Sequence, residues 1–163
     1  MKTLILGLLF LGGCVQATVT EPRACDATLL SFPGAPVNPG LQLPPVTQSF
    51  TLDTGAGSDL TQVKLLNGQL TLADAGDFSF LDEIMISVAD PNGGADLVLW
   101  DSQHNSGTQL AVQASDANLV NYIDGNNKFT INVTISTQQP PQNTWQLDVA
   151  LCVSAELDKT VSL

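Results

Sequence analysis

The 163-residue chain carries little positive charge. Five Lys and Arg residues stand against 16 Asp and Glu residues, which gives a formal net charge of −11 at pH 7. A surface of this sign repels phosphate backbones, so we expect no nucleic-acid partner. The acidic residues are spread along the sequence instead of forming a run, so they indicate a solvated folded surface and not a disordered acidic tail.

Histidine is nearly absent, and no catalytic arrangement is evident. The only histidine, His104, lies in the polar segment QHNSG, which is typical of an exposed loop. A Ser-His-Asp site requires a base held between a nucleophile and an orienting acid, and nothing in the sequence resembles a nucleophile elbow. Carboxylate pairs such as Asp74 and Asp77 are expected by chance among 16 acidic residues. We therefore expect a protein that is not an enzyme.

Long apolar runs are also missing, apart from one short run at the N-terminus. Lys2 gives that segment a positive start, and residues 3–11 are apolar but too few to span a bilayer, which takes about 20 apolar residues. A charged start, a short apolar core and small residues before a cleavage point are typical of a signal peptide. We predict that residues 1–13 are removed on export.

The apolar run ends at Leu11-Gly12-Gly13-Cys14, which is a leucine, two small residues and a cysteine. This segment resembles the lipobox of bacterial lipoproteins. The resemblance implies cleavage before Cys14, a diacylglycerol thioether on its sulfur and acylation of the new amino terminus, and several acyl chains make a stable membrane anchor. Val15 follows, where an aspartate would imply retention in the inner membrane, so the resemblance implies the outer membrane of the cell envelope. The alternative is an ordinary secretory signal, although no A-x-A-like site is evident.

Cysteine is scarce, and this interpretation accounts for all three residues. If Cys14 carries lipid, Cys25 and Cys152 form an even pair in an oxidising compartment, and we predict a disulfide between them. On the chain-entropy model, closing so long a loop stabilises the fold by about 5 kcal/mol. The alternative is two free buried thiols, while a zinc site would lack histidine ligands.

Strand signals recur through the rest of the chain. Large apolar residues recur at every second position over residues 84–88, 129–135 and 145–153, and most of the residues between them are polar or small. This period of two indicates strands with one buried and one wetter face, typical of antiparallel sheets, and several such strands separated by turns predict a β-sandwich. The only helical pattern covers residues 115–123 and is a turn or two long. The predicted fold is therefore all-β, an antiparallel β-sandwich with at most one short helix.

The last alternating segment also constrains the disulfide. Cys152 falls on the opposite face from Trp145 and Leu151, so it points outward if those two side chains fill the core. The segment around Cys25 must then cross the outer face or lie at a neighbouring edge strand. A β-bulge near Ala150 would reverse this parity.

The domain organisation follows from these segments. Residues 1–13 are the predicted signal peptide, residues 14–24 the lipid anchor and a polar tether, and residues 25–163 a single β-sandwich domain. Within the domain, residues 62–72 are either a hairpin that turns at Asn67-Gly68 or one long bulged strand, and the sequence does not separate the two.

Three short segments resemble a group of predicted bacterial lipoproteins. They are FSFLDEI at residues 78–84, SDANLVNYI at residues 115–123 and KFTI at residues 128–131. The resemblance covers residues 60–157 and implies an exported β-sandwich. It carries no functional residue over to this chain.

The remaining candidate binding residues lie in and after one loop. Asp90, Asn92 and Asp96 place oxygen ligands among glycines and resemble part of a calcium loop. The usual bidentate glutamate at the twelfth position is missing, since Asp101 stands there, and a plain hairpin turn explains the same residues. Trp100 falls out of phase with the apolar residues before it, so it is expected to be exposed and is a candidate contact for a sugar ring.

Two classes of function remain. The first, which requires no site, is a non-catalytic envelope lipoprotein with a structural or accessory role that engages another envelope protein through an edge strand or a loop. The alternative is a carbohydrate- or calcium-binding module displayed near the membrane. Neither class needs a cofactor besides the covalent lipid, with calcium as the open exception.

Replacing Cys14 tests the lipid anchor. Cys14→Ser removes the sulfur that would be acylated, so we expect an uncleaved or soluble product that takes up no palmitate, whereas Val15→Ala keeps both properties. Membrane fractionation and labelling with radioactive palmitate measure the outcome. A Cys14→Ser protein that still sediments with membranes and takes up palmitate would show that the lipobox interpretation is wrong.

Overall fold

The computed structural model describes residues 15–35, 43–54, 60–73, 76–137, 139 and 141–161, with side chains from residue 24 to residue 156. The predicted signal peptide and Cys14 lie outside the described residues. Within the described part of the chain, no helix has the length and apolar character needed to cross a membrane. The strands are β1 Val15–Phe32, β2 Val46–Asp53, β3 Leu60–Leu72, β4 Glu83–Val88, β5 Leu97–Gln103, β6 Gln109–Val112, β7 Lys128–Ser136 and β8 Trp145–Val161.

The strands form two four-stranded antiparallel sheets that pack together. Sheet A has the order β1-β8-β3-β6, and sheet B has the order β2-β7-β4-β5. The predicted all-β sandwich is confirmed. The helical pattern at residues 115–123 yields only the 3₁₀ turn Val120–Tyr122, because the first half of that segment is irregular.

The alternating segments supply the core between the sheets. On β8, Leu147, Val149 and Leu151 are 0 % exposed, whereas Asp148 between them is exposed. Fully burying one side chain of this size contributes about 1.5–3 kcal/mol, so a row of three is a large share of the stability of a small domain. The same alternation buries rows on β4 and β7, which comprise Ile84, Ile86, Val88, Phe129, Ile131, Val133 and Ile135.

β3 settles the choice between a hairpin and a long strand. Residues Leu60–Leu72 form one strand, with two bulges along its pairing with β8. Gly68 does not turn the chain: a Cβ atom there would collide with the Leu151 side chain and the Ala150 carbonyl of β8. The glycine is needed because β8 passes close by, so the long bulged strand is the correct alternative.

Cys25 on β1 and Cys152 on β8 stand directly opposite each other and form a disulfide. Cys152 alternates with the buried residues Leu151 and Val153, so the bond lies on the outer face of sheet A. β1 is the edge strand beside β8. The predicted disulfide is confirmed, and so is the expectation that the Cys25 segment lies at a neighbouring edge.

β1 begins at Val15, earlier than the sequence indicates. Its first residue pairs with Val161 at the end of β8, so residues 15–24 belong to the sheet where a tether was expected. The segment is rich in valine and threonine, which favour extended strands. A bulge after Glu21 accommodates Pro22, which has no N–H to donate.

Removing the disulfide tests how much it contributes to the free energy of unfolding. We expect the double variant Cys25→Ala, Cys152→Ala to lose up to about 5 kcal/mol of unfolding free energy, since the bond joins residues 127 positions apart and restricts the unfolded chain. Urea unfolding measures the loss, and the reduced wild-type protein is the matched control that should weaken in the same way. A urea midpoint that does not move on reduction would mean that the bond contributes no stability.

Candidate functional site

The loop between β4 and β5 holds the three predicted calcium ligands, and its first half is a hydrogen-bonded turn. The Asp90 carboxylate accepts the N–H of Asn92 at 2.8 Å, and the Asp90 carbonyl accepts the N–H of Gly93 at 3.0 Å. Gly93 has a φ of 78°, which glycine adopts without strain. The same carboxylate lies so close to Gly94 that a Cβ atom there would collide with it. Asp90 therefore closes the turn, as the plain hairpin alternative expects.

Asp96, the last of the three candidate ligands, reaches across sheet B. Its carboxylate accepts a hydrogen bond from the Asn132 side-chain amide at 2.7 Å and one from the Ser87 hydroxyl at 3.4 Å. The Asn132 side-chain carbonyl in turn accepts the Ser49 hydroxyl at 2.6 Å. These four residues form a polar row that links the outward side chains of β2, β7 and β4 to the loop before β5.

The burial of Ser87 indicates what the polar row does. Ser87 is only 2 % exposed although it points to the outer face of β4. A buried hydroxyl without a partner costs about 1–3 kcal/mol, and the Asp96 carboxylate supplies that partner. No buried side-chain nitrogen or oxygen in the described residues lacks a hydrogen bond. The polar row therefore fastens the loop to the sheet.

The candidate calcium ligands thus have different partners. Asp90 bonds within its own turn, and Asp96 bonds across the sheet. Among the side chains that the structure describes, no three His, Cys, Asp or Glu residues are grouped so as to hold a metal ion. Calcium binding by Asp90, Asn92 and Asp96 stays a prediction.

The expected exposure of Trp100 is wrong, because β5 contains a bulge. Ile86 pairs with Trp100 and Ser87 pairs with Val98, which leaves Leu99 as the extra residue. Trp100 therefore shares the core face with Ile86 and is half-buried against the core. Val98 takes the outward position and is 49 % exposed. A sugar contact by Trp100 stays a prediction, but it no longer rests on an exposed ring.

An apolar cavity at one end of the sandwich was not indicated by the sequence. Its volume is about 170 Å³, and the Trp145 ring in its wall stacks on Phe32 with ring centroids 4.7 Å apart. Cavities near this size accommodate a benzene-sized molecule. The lining has no charged side chain and comes from separate strand ends, so no contiguous motif marks it. Its other apolar side chains are Pro33, Ala35, Leu43, Pro44, Val46 and Ile135.

His104 lies in an exposed loop after β5, as the sequence indicates. Its φ is 54°, and its backbone N–H donates to the Asp82 carbonyl at 3.2 Å. The loop is held by buried Asn105, which donates to the Ser102 carbonyl and accepts the Ser102 hydroxyl. The hydrogen bonds of the His104 backbone and of Asn105 therefore shape this loop.

Two exposed carboxylates have lowered pKa values, and both organise turns. The Ser79 hydroxyl, and then the Ser79 N–H, hold the pKa of Asp77 below its ordinary value of 3.8. The backbone N–H groups of Lys128 and Asn126 lower the pKa of Asp124 in the same way. Hydrogen bonds to the charged form favour that form. Both groups are therefore ionised at neutral pH, where a general acid would need to retain its proton.

Removing the Asp96 carboxylate tests the polar row. Asp96→Ala leaves the buried Ser87 hydroxyl without its partner, so we expect the free energy of unfolding to fall by roughly 1–3 kcal/mol. Asp148→Ala, which removes an exposed carboxylate on β8, is the matched control and should change stability by no more than about 0.5 kcal/mol. Urea unfolding with and without calcium measures both, and we expect the same values in either buffer. A calcium-dependent rise of the wild-type midpoint that Asp96→Ala abolishes would favour an ion site.

No protein-family model and no curated protein matches the chain. Its defining features are structural. They are two four-stranded antiparallel sheets, a disulfide between the first and last strands, and a polar row across one outer face.

Proposed function

We propose that this chain is a non-catalytic lipoprotein of the bacterial cell envelope, with a structural or accessory role exerted by contact with another envelope protein. The observation that carries the proposal is the Cys25–Cys152 disulfide. Such bonds persist in oxidising compartments and are rare in the cytosol, so the bond supports export. With these two cysteines joined, Cys14 is the remaining one of the three, at the position where the lipobox resemblance puts the lipid.

The start of β1 supports a position close to the membrane. β1 begins at Val15, directly after the residue that would carry the lipid, so no loop separates the anchor from the sheet. The chain has a net charge of −11, and this charge opposes flat adsorption onto anionic lipid. The lipid, and not the protein surface, therefore holds the domain at the bilayer, which is the outer membrane by the resemblance at Val15.

The hydrogen bonds of the described acidic groups support a protein-contact role over a catalytic role. Asp77, Asp90 and Asp124 each accept backbone N–H groups that close turns. Asp96 fastens a loop to sheet B. These carboxylates therefore hold turns and a loop in place, which supports a role in surface recognition over a role in catalysis.

A carbohydrate-binding module is the second candidate, and one observation favours it. The polar row presents oriented hydroxyl, amide and carboxylate groups on the outer face of sheet B, where Val98 is an exposed apolar neighbour. A sugar offers hydroxyls beside an apolar ring face, and a few placed polar groups next to an apolar contact suit it. This candidate ranks second because the members of the row already bond to one another.

Cross-linking in the cell envelope tests the first candidate. We expect the tagged full-length protein to sediment with outer-membrane markers in a sucrose gradient and to form one discrete formaldehyde adduct with another envelope protein. Cys14→Ser should lose the adduct, because it removes the anchor that places the two proteins on one membrane. Recovery of the protein with inner-membrane markers would contradict the proposed location in the outer membrane. Retention on polysaccharide beads that Asp96→Ala abolishes, with no protein adduct, would favour the second candidate.

A further inference from the structure

The edge strands of the two sheets are not equally protected. Edge strands expose unpaired N–H and C=O groups, which proteins block with bulges, prolines, charges or short length. β6 has only four residues, and β5 is bulged at Leu99. β1 and β2 are longer and lie against each other on the other side of the sandwich. That side therefore holds the two extended edges in the described part of the chain.

β1 carries a block on its open edge. Cys25 and Cys152 are a closely spaced pair with Cα atoms 4.1 Å apart, which marks a pair without hydrogen bonds between its members. Ala27, two residues further along, is of the same type, so its N–H points away from β8 and towards the open edge. The Asp26 carboxylate accepts this N–H at 2.8 Å. A partner strand would have to displace a charged group to pair with β1.

Among the residues that the structure describes, β2 has no such block. Val46–Asp53 runs in unbroken register with β7, without a bulge, a proline or a lysine. Its one acid, Asp53, is its last residue and lies 3.9 Å from the Lys128 ammonium. The side chains of Val46 and Phe50 pack against the core but are only partly buried, because sheet B ends at this strand. A further strand beside β2 would cover them.

Charge and side-chain pairing fit a second copy of the chain. The chain has a net charge of −11, yet residues 46–52 are uncharged, so two copies can meet there without opposing like charges. In an antiparallel pair centred on Ser49, Thr47 of one copy faces Thr51 of the other. β2 and β7 already form a ladder of this kind, in which the Thr47 and Thr134 hydroxyl oxygens are 2.8 Å apart.

We propose that two copies of this protein associate through their β2 edges in antiparallel orientation, so that their two copies of sheet B become one continuous sheet. Such a contact is two-fold symmetric, with the same edge on both sides. It does not depend on the lipid anchor. Antiparallel pairing places the start of β1 in one copy and the start of β1 in the other copy at opposite ends of the dimer. If both starts are anchored in one bilayer, the strands therefore lie parallel to the bilayer surface.

Cross-linking between copies tests the contact. We expect Ser49→Cys in the full-length protein to give a covalent dimer with a short bis-maleimide, because two-fold pairing brings the two residues together. Val98→Cys lies on the same outer face at the opposite edge, β5, and should give less dimer by on the order of tenfold, since a bulge blocks that edge. The double variant Thr47→Cys, Thr51→Cys, in which each new cysteine faces the other residue type of the partner copy, is an independent test in case Ser49→Cys does not fold. The reagent is added to the membrane fraction or to the soluble fraction, whichever contains the protein. The yield of dimer then tests the contact between copies even if the proposed lipid anchor is wrong.

A charge at the edge supplies the second measurement. Gln48→Lys puts an ammonium beside the partner strand, a device that natural edges use against pairing, so the yield of dimer from Ser49→Cys should fall by about tenfold. Gln62→Lys, on β3 and half-buried like Gln48, is the matched control and should leave the yield unchanged. Equal yields from Ser49→Cys and Val98→Cys, or a yield that Gln48→Lys does not reduce, would overturn the proposal.

Discussion

The last strand, β8, is hydrogen-bonded to β1 along one side and to β3 along the other, and the rest of the sandwich depends on this double pairing. Its inward residues, from Leu147 to Val153, fill the middle of the core and are at most 1 % exposed, while its outward residues include Cys152. Side chains alternate along a strand, so a slip of one residue would expose the apolar row and bury Asp148. Which alternate residues of β8 point inward therefore decides which face of sheet A is exposed to solvent and on which face the disulfide can form.

The parts of the fold that follow from alternation could be predicted from the sequence. Residues 129–135 and 145–153 alternate without interruption, so their buried faces are evident before any partner is known. β3 and β5 could not be assigned in this way, because each contains a bulge. A bulge depends on the register with a neighbouring strand, which no local pattern records, and the extra residue Leu99 carries Trp100 inward. The strand before Cys25 likewise depends on how far β8 extends beside it.

The candidate site has a different limit. The spacing of Asp90, Asn92 and Asp96 locates a loop with exposed oxygen atoms, but it does not say which partner each carboxylate takes. Asp96 bonds to Asn132, 36 residues further along the chain, and Asn132 bonds to Ser49, 83 residues before it. Such contacts exist only after the sheet has formed. The same holds for the apolar cavity, whose walls come from four separate strand ends.

The disulfide between the first and last strands also has a mechanical consequence. Tension applied at Val15 passes along the first part of β1 and then meets the Cys25–Cys152 bond, which transfers it to β8. The two cysteines are 127 positions apart, so nearly all of the sandwich lies inside a covalently closed loop that a pull on its two ends cannot lengthen. Only the segments of β1 and β8 outside that loop can peel apart. Under load the domain is therefore a short, nearly inextensible link and not a spring that lengthens by unfolding.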